Sequence, residues 1–238
     1  MSTLESIVMF ASVFVAGTLF FTIRKVDQRI LKLSLAFTGA FLFSLSLTHL
    51  LPTVFKYNAE TAGVFILAGF FLQLVLEFFT EGVEHGHEHH HHHHGKSFPL
   101  AMMAGLCIHS FLEGMPLSGH FSDHDHNHSL LAGIVLHHLP VAFVLVSMLI
   151  HSGIGKVWTL INLALFAAMA PLGAWFSSVL SATELMNISA HYDKIMGLVI
   201  GIFLHISTTI LFESGSGHRF NLYKLLVILL GASVALIW

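Results

Sequence analysis

Eight apolar runs, each long enough to cross a bilayer, follow one another along this chain of 238 residues. A helix needs about 20 predominantly apolar residues to span the hydrocarbon core of a membrane. The runs cover about residues 5–23, 33–51, 62–80, 98–119, 129–150, 157–180, 194–213 and 221–238. Because only short connections remain, we predict an all-α membrane protein with eight transmembrane helices in a single transmembrane domain, residues 1–238, and no separate soluble domain.

The composition supports a membrane setting and excludes one class of partner. Hydrophobic residues make up 55% of the chain, charged residues 10%, and the mean hydropathy is +0.80. Such a chain has too little polar surface to cover a soluble globule of its length. The formal net charge of −3 includes no basic stripe that would meet phosphates, so we expect no nucleic-acid partner.

The positive charges predict an orientation. Short cytoplasmic loops collect Lys and Arg. Two of the ten basic residues, Lys56 and Lys194, fall on one side, whereas eight fall in the alternate loops: Arg24, Lys25, Arg29, Lys32, Lys96, Lys156, Arg219 and Lys224. We therefore expect both termini outside the cytoplasm. The first run lacks a basic start and a small-residue cleavage site, so we expect a retained helix. The short loops favour a prokaryotic inner (plasma) membrane.

Two adjacent runs carry ionisable residues at membrane depth. In FPLAMMAGLCIHSFLEGMPLSG, His109 and Glu113 are four residues apart, and the next run, LLAGIVLHHLPVAFVL, contains His137 and His138. Ionisable groups inside a bilayer are costly and usually mark an ion pathway or a binding site. On a helix, residues four apart lie on one face, about 5–6 Å apart at Cβ. An imidazole and a carboxylate facing a histidine on the next helix indicate a divalent-metal site.

The polar residues inside the runs form a short set. Any one histidine is explained as well by a neutral imidazole bonded to a backbone carbonyl. Glu113 is the one carboxylate that we expect well inside the membrane, where it would take up a proton unless a cation compensated its charge. Six groups on four helices together favour metal binding: His49, His109, Glu113, His137, His138 and His205.

Prolines follow the candidate ligands. Pro116 lies three residues after Glu113, and Pro140 lies three residues after His137. A proline inside a helix frees the carbonyl four residues earlier and kinks the helix. Such a break next to ligand side chains can expose oxygens to a cation, as in the discontinuous helices of transporters.

Two connections are rich in histidine. The loop at about residues 82–96 should be disordered and cytoplasmic, and imidazoles on a flexible segment bind transition metals weakly. An engineered hexahistidine tag and an inert linker are the alternatives. The loop GHFSDHDHNHS combines imidazoles with carboxylates and would capture incoming cations, unless it is only a solvated turn. The accessory residues are His85, His87, His89, His90, His120, Asp123, His124, Asp125, His126 and His128.

These motifs, in their order and spacing, resemble those of the ZIP (zinc and iron permease-like) transporters over essentially the full chain. The segments HSFLEG in the fourth run and HHLP in the fifth carry the likeness, together with SLTHLLPTVF and MAPLGAWF in the second and sixth. The resemblance implies inverted repeats, helices 1–3 and 6–8, around helices 4 and 5. It also implies a secondary, non-ATP carrier of divalent cations into the cytoplasm that forms a homodimer.

Two positions depart from the family pattern. Ser110 stands where the family usually has Asn, and Val141 stands where helix 5 usually supplies a Glu or His. The resemblance thus implies one imidazole-rich site in which either His49 or His205 completes the ligands from helices 4 and 5. Nitrogen-rich ligation favours Zn²⁺, with Fe²⁺, Mn²⁺, Co²⁺, Ni²⁺ and Cd²⁺ as further candidates.

Three other functions remain as alternatives. A ZIP-like sensor or regulator would bind metal without transporting it, which would explain the departures at Ser110 and Val141. An intramembrane metalloenzyme is disfavoured because the apolar runs contain no HExxH motif, so we expect no enzyme. An exporter of the cation-diffusion type would need about six spans and a soluble domain, and neither fits.

Overall fold

Eight helices make up nearly all of the part of the chain that the structure, a computed structural model, describes: residues 1–23, 27–80, 100–118, 124–182, 191–213 and 222–237. The helices are α1 (Thr3–Thr18), α2 (Gln28–Tyr57), α3 (Ala59–Thr80), α4 (Leu100–Gly114), α5 (His124–His151), α6 (Lys156–Ala182), α7 (Tyr192–Glu213) and α8 (Leu222–Ile237). Seven of them, α1 to α7, are long and apolar enough to cross a membrane, and α8 is a shorter apolar helix of 16 residues. The predicted all-α architecture of eight apolar helices is confirmed.

Helix α2 is longer than the predicted run at both ends. The Asp27 side chain accepts a hydrogen bond of 2.9 Å from the backbone N–H of Arg29, which satisfies one donor of the first turn and starts the helix early. Further along, the segment Ser46–Leu50 forms a π-helical turn directly before Pro52, and the helix continues to Tyr57. The wider turn accommodates the proline, so Pro52 does not end the helix.

Helix α5 also begins earlier than predicted. The sequence placed His124 to His128 in a loop, but they form the first turns of α5. An acidic residue such as Asp125 is favoured near a helix N-terminus, where the helix dipole is positive. Outside the described residues lie Asp123, His120 and the histidines of the predicted loop at 82–96, namely His85, His87, His89 and His90.

The helix contacts have a two-fold pattern. The closely packed pairs include α3 with α7 and α2 with α8, α4 with α6 and α1 with α5, as well as α1 with α6 and α2 with α7. We exchange α1 with α6, α2 with α7, α3 with α8 and α4 with α5. Each of these pairs then becomes another pair of the set or remains the same pair. Successive membrane helices alternate in direction, so α1 and α6 run in opposite directions. These pairs fit the inverted repeats that the resemblance implied.

Helices α4 and α6 touch through glycine. A Cβ atom on Gly114 would overlap the backbone carbonyl of Ala170, and a Cβ on Gly173 would overlap that of Phe111. Small residues let membrane helices approach this closely. Because Gly114 directly follows Glu113, this contact fixes the end of α4 that carries the candidate site.

The outer surface of the bundle is apolar. Large hydrophobic side chains are exposed on several helices, among them Phe71 and Phe78 on α3, Trp175 on α6 and Leu229 on α8. Soluble monomers rarely expose such extensive apolar faces. The chain is thus an integral membrane protein whose exposed side chains suit lipid.

Candidate metal site

Helix α4 supplies an imidazole and a carboxylate to the interior of the bundle. His109 and Glu113 are both 0% exposed, and His109 Nε2 lies 3.2 Å from Glu113 Oε1. Their separation of four residues places both side chains on one face of the helix. The predicted pairing within α4 is therefore present in the structure.

Helix α5 brings two further imidazoles to the same carboxylate. His138 Nε2 lies 2.9 Å from Oε2, the other oxygen of the Glu113 carboxylate. The ligand atoms of His109, Glu113 and His137 all lie within 4.8 Å of one another. The sequence left open whether His137 or His138 joins the site, and the structure brings both to it. We call His109, Glu113, His137 and His138 the α4–α5 cluster.

The side chains of this cluster, rather than close backbone packing, fill the space between α4 and α5. These two helices are not among the closely packed pairs of the bundle. The ring centroids of the histidines are 6.1 Å apart for His109 and His137, 6.2 Å for His109 and His138, and 5.8 Å for His137 and His138. Three imidazoles thus surround one carboxylate in a space that the backbones leave open.

A proline lies three residues after a member of the cluster on each helix, Pro116 after Glu113 and Pro140 after His137. Helix α4 ends at Gly114 and continues as a 3₁₀ turn that includes Pro116, whereas α5 passes through Pro140 as a helix. The carboxylate of Glu113 on α4 and the imidazole of His137 on α5 come within 4.8 Å of each other.

The charge balance of the cluster suits a cation. A buried carboxylate stays charged only if a partner compensates it, and neutral imidazoles offer lone pairs but no positive charge. Three nitrogen ligands and one oxygen ligand are a donor set typical of Zn²⁺, which prefers four-coordinate sites. The group His109, Glu113 and His137 is the one set of three candidate metal ligands found among the described residues.

A glutamine on α3 contacts the cluster, and the sequence analysis did not include it. Gln73 is 0% exposed, and its Oε1 lies 3.1 Å from His109 Nδ1, the ring nitrogen that faces away from Glu113. A search restricted to ionisable residues omits a neutral amide such as this one. The signal was available, because Gln73 and Glu77 are polar residues four apart in the otherwise apolar stretch 63–79.

The two residues expected to complete the site make other contacts. His205 Nε2 lies 2.5 Å from Glu77 Oε2, and the His205 ring packs edge-on against Phe70 with centroids 4.8 Å apart. We call Glu77 and His205 the α3–α7 pair. His49 Nδ1 lies 2.7 Å from Thr48 Oγ1. Neither histidine belongs to the group of ligand atoms around Glu113.

The two departures from the family pattern are both buried. Ser110 is 1% exposed, and its hydroxyl has no hydrogen-bond partner among the described residues. Val141 is 0% exposed and belongs to an apolar cluster that also contains Leu106 and Phe166. At the Val141 position an apolar contact stands where the family usually has a ligand.

One accessory residue has described contacts. The His128 side chain, 70% exposed, places Nδ1 3.8 Å from Glu5 Oε1 of α1. His124, Asp125 and His126 lie in the first turn of α5. An imidazole and a carboxylate thus meet at the end of the bundle where α1 and α5 begin.

An inverted-repeat bundle of apolar helices with imidazoles around a buried carboxylate defines an integral membrane protein with a candidate metal site. The family model described as ZIP Zinc transporter matches residues 98–238, which include α4 to α8. This match covers more than half of the chain. The chain belongs to the ZIP zinc transporter family.

Two curated relatives are similar to a large part of the chain. Zinc transporter ZIP9 of Micropogonias undulatus is 29% identical over 162 residues, which is 65% of this chain and 52% of that protein. Zinc transporter ZIP9-B of Xenopus laevis is 29% identical over 112 residues, 46% of this chain and 37% of that protein. The chain spans about half the length of the first relative and less of the second.

Proposed function

We propose that this protein is a secondary transporter of divalent transition-metal cations that takes zinc into the cytoplasm through the α4–α5 cluster. The observation that carries the proposal is the contact of two imidazoles with the two oxygens of the fully buried Glu113, with a third imidazole beside them. The family and the two relatives, which are both zinc transporters, support the same cargo and favour a transporter over an enzyme.

Each member of the cluster has a chemical role in this proposal. Glu113 supplies the negative charge that compensates the cation in the membrane interior. The three histidines supply neutral nitrogen ligands that can exchange during transport. Nitrogen ligands select against Mg²⁺ and Ca²⁺, which prefer oxygen, while Fe²⁺, Mn²⁺, Co²⁺, Ni²⁺ and Cd²⁺ compete with Zn²⁺ to degrees that the donor set alone does not fix.

The described basic residues support the proposed direction of transport. Arg29, Lys32, Lys156 and Lys224 lie near the starts of α2, α6 and α8, which are at one end of the bundle if successive helices cross the membrane. Lys56 lies near the end of α2, at the opposite side. By the positive-inside rule the first end is cytoplasmic. Cations then enter near Glu5 and His128, and both chain termini lie outside.

The inverted repeats support alternating access. In such transporters one repeat or bundle moves against the other around a binding site near the bilayer midplane. The homodimer and the prokaryotic inner membrane remain predictions. The two relatives named above come from animals and lend the prokaryotic setting no support.

Zinc influx into proteoliposomes that contain the purified protein tests the proposal. The His109→Ala, Glu113→Ala double variant removes the α4 ligands. Ser177→Ala on α6 serves as a matched control, because this buried serine contacts the hydroxyl of Ser118 and does not belong to the α4–α5 cluster. Saturable flux that is kept in the control and lost in the double variant supports a carrier. Zinc binding without flux in the unmodified protein would instead indicate the sensor or regulator, which the departures at Ser110 and Val141 favour.

A further inference from the structure

We propose that Gln73 is a positioning residue that holds His109 in the tautomer and orientation required for metal binding. The inference rests on the proposed function of the α4–α5 cluster and adds a residue from outside α4 and α5. Gln73 reaches the site from α3, a helix of the first repeat. It touches a ligand rather than the metal, so its effect is transmitted through the ring of His109.

The geometry assigns one function to each nitrogen of the His109 ring. Nε2 points toward Glu113, at 3.2 Å from Oε1, and Nδ1 points toward Gln73, at 3.1 Å from Oε1. A histidine can bind a metal through Nε2 only if the remaining proton is on Nδ1. The amide oxygen of Gln73 lies where it can accept a hydrogen bond from Nδ1–H.

Burial makes this contact informative. Gln73 is 0% exposed in a helix whose neighbouring residues are mostly apolar, and an amide without a partner in such surroundings is costly. Metal-binding histidines generally donate their second N–H to a carboxylate, a carbonyl or water, which fixes the ring and makes the metal-binding nitrogen more basic. Gln73 provides such an acceptor.

Helix α3 repeats the arrangement one turn later. Glu77, four residues after Gln73, places Oε2 2.5 Å from Nε2 of His205 on α7. Residues four apart share one face of a helix. This face of α3 thus presents a side-chain oxygen to an imidazole on each of two neighbouring helices, α4 and α7. The repetition indicates a polar face that orients histidines.

The test measures Co²⁺ and Zn²⁺ binding to the purified full chain in detergent. Co²⁺ reports ligand geometry through its visible absorption, and Zn²⁺ affinity follows from its displacement of Co²⁺. Gln73→Met keeps the length of the side chain but removes the acceptor, whereas Gln73→Glu keeps an acceptor at the same place. Leu76→Met, a buried change on the same helix, is the packing control.

We expect Gln73→Met to weaken Zn²⁺ binding by about 10- to 100-fold and to change the Co²⁺ spectrum. Gln73→Glu should restore tight binding, and Leu76→Met should leave both readouts unchanged. If Gln73→Met keeps the wild-type Zn²⁺ affinity and Co²⁺ spectrum while His109→Ala loses binding, the proposed role of Gln73 is wrong. The proposed function of the site is then unaffected. Full binding in His109→Ala would instead overturn the site itself.

A second measurement needs no variant at Gln73. Nitrogen NMR of isotope-labelled histidine in the zinc-loaded wild-type protein, assigned by comparison with His109→Ala, reports which ring nitrogen of His109 carries the proton. We expect the proton on Nδ1 and the metal-induced shift at Nε2. The opposite assignment would overturn the proposal.

Discussion

The α4–α5 cluster and the α3–α7 pair both bring imidazoles to a carboxylate inside an apolar bundle, but in different ratios. Around Glu113 there are three imidazoles, and its side chain is fully buried. Around Glu77 there is one described imidazole, at 2.5 Å, and 22% of its side chain is exposed. A one-to-one pair can become neutral by sharing a single proton. A carboxylate with several neutral nitrogen donors instead matches a divalent cation, which takes up all of their lone pairs.

A short distance between a histidine and a glutamate therefore does not by itself indicate a metal site. His205 was a candidate ligand from sequence, yet its contact with Glu77 resembles a local hydrogen bond between two helices. The number of convergent donors and the depth of burial distinguish the two places.

The largest effect should follow from Glu113→Ala. The change removes the one carboxylate of the cluster, so a cation bound by the three imidazoles would have no negative charge beside it in the membrane interior. Loss of a residue that hydrogen-bonds to a metal ligand lowers metal affinity or activity by about 10- to 100-fold. Loss of this carboxylate, which contacts the metal itself in the proposed site, should therefore reduce zinc flux by more than about 100-fold. Proteoliposome influx measures the loss, and gel filtration in detergent checks that the protein stays folded. Normal flux in this variant would show that the site is elsewhere.

A smaller loss is expected from single changes on α5. His137→Ala and His138→Ala each remove one nitrogen ligand while three donors remain, so each should weaken Zn²⁺ binding by about 10- to 100-fold and not abolish it. Isothermal titration with the purified protein gives both affinities. If one variant binds as the wild type does, that histidine is not a ligand, and the site has three protein donors.

The α3–α7 pair should affect stability more than metal affinity. Glu77→Gln weakens a single hydrogen bond between helices, which should lower the free energy of unfolding by about 1 kcal/mol. Thermal unfolding in detergent measures this change, and Zn²⁺ affinity should stay near the wild-type value. A loss of affinity as large as that for His138→Ala would place the pair within the metal pathway and remove the contrast drawn above.

The smallest effect should come from the exposed end of the bundle. The contact between His128 and Glu5 is long and solvated, so His128→Ala should change maximal flux little. A rise of up to about threefold in the apparent KM for zinc is expected if the residue helps to gather cations at the entrance. The salt dependence of influx is the second readout, since screening should erase the difference between the variant and the wild type.

The extent of sequence-based prediction differed between the fold and the site. Apolar runs gave the number of helices because each membrane helix must be apolar along its whole length. They misplaced the start of α5, since a polar first turn outside the hydrocarbon has no apolar signal. The spacing of His109 and Glu113 gave their pairing directly, because residues four apart on a helix are neighbours whatever the tertiary structure.

The remaining contacts of the site depend on how helices pack. His137 and His138 are adjacent in sequence and diverge around a helix, so spacing alone could not tell which one faces Glu113. Gln73 is 36 residues from His109, and Glu77 is 128 residues from His205. No local pattern encodes such pairs, and only the packing of α3 on α4 and α7 brings them together.

The sequence by itself determined that this chain is a helical membrane protein, and it determined which residues of α4 share a face, because both follow from the hydropathy and the period of a single helix. Packing of the helices brings both histidines of α5 to Glu113, Gln73 to His109, and His205 to Glu77. These contacts depend on how far apart the helices lie and how each is rotated about its axis. Close packing between small residues of different helices sets both, so the sequence of a single segment does not contain this information.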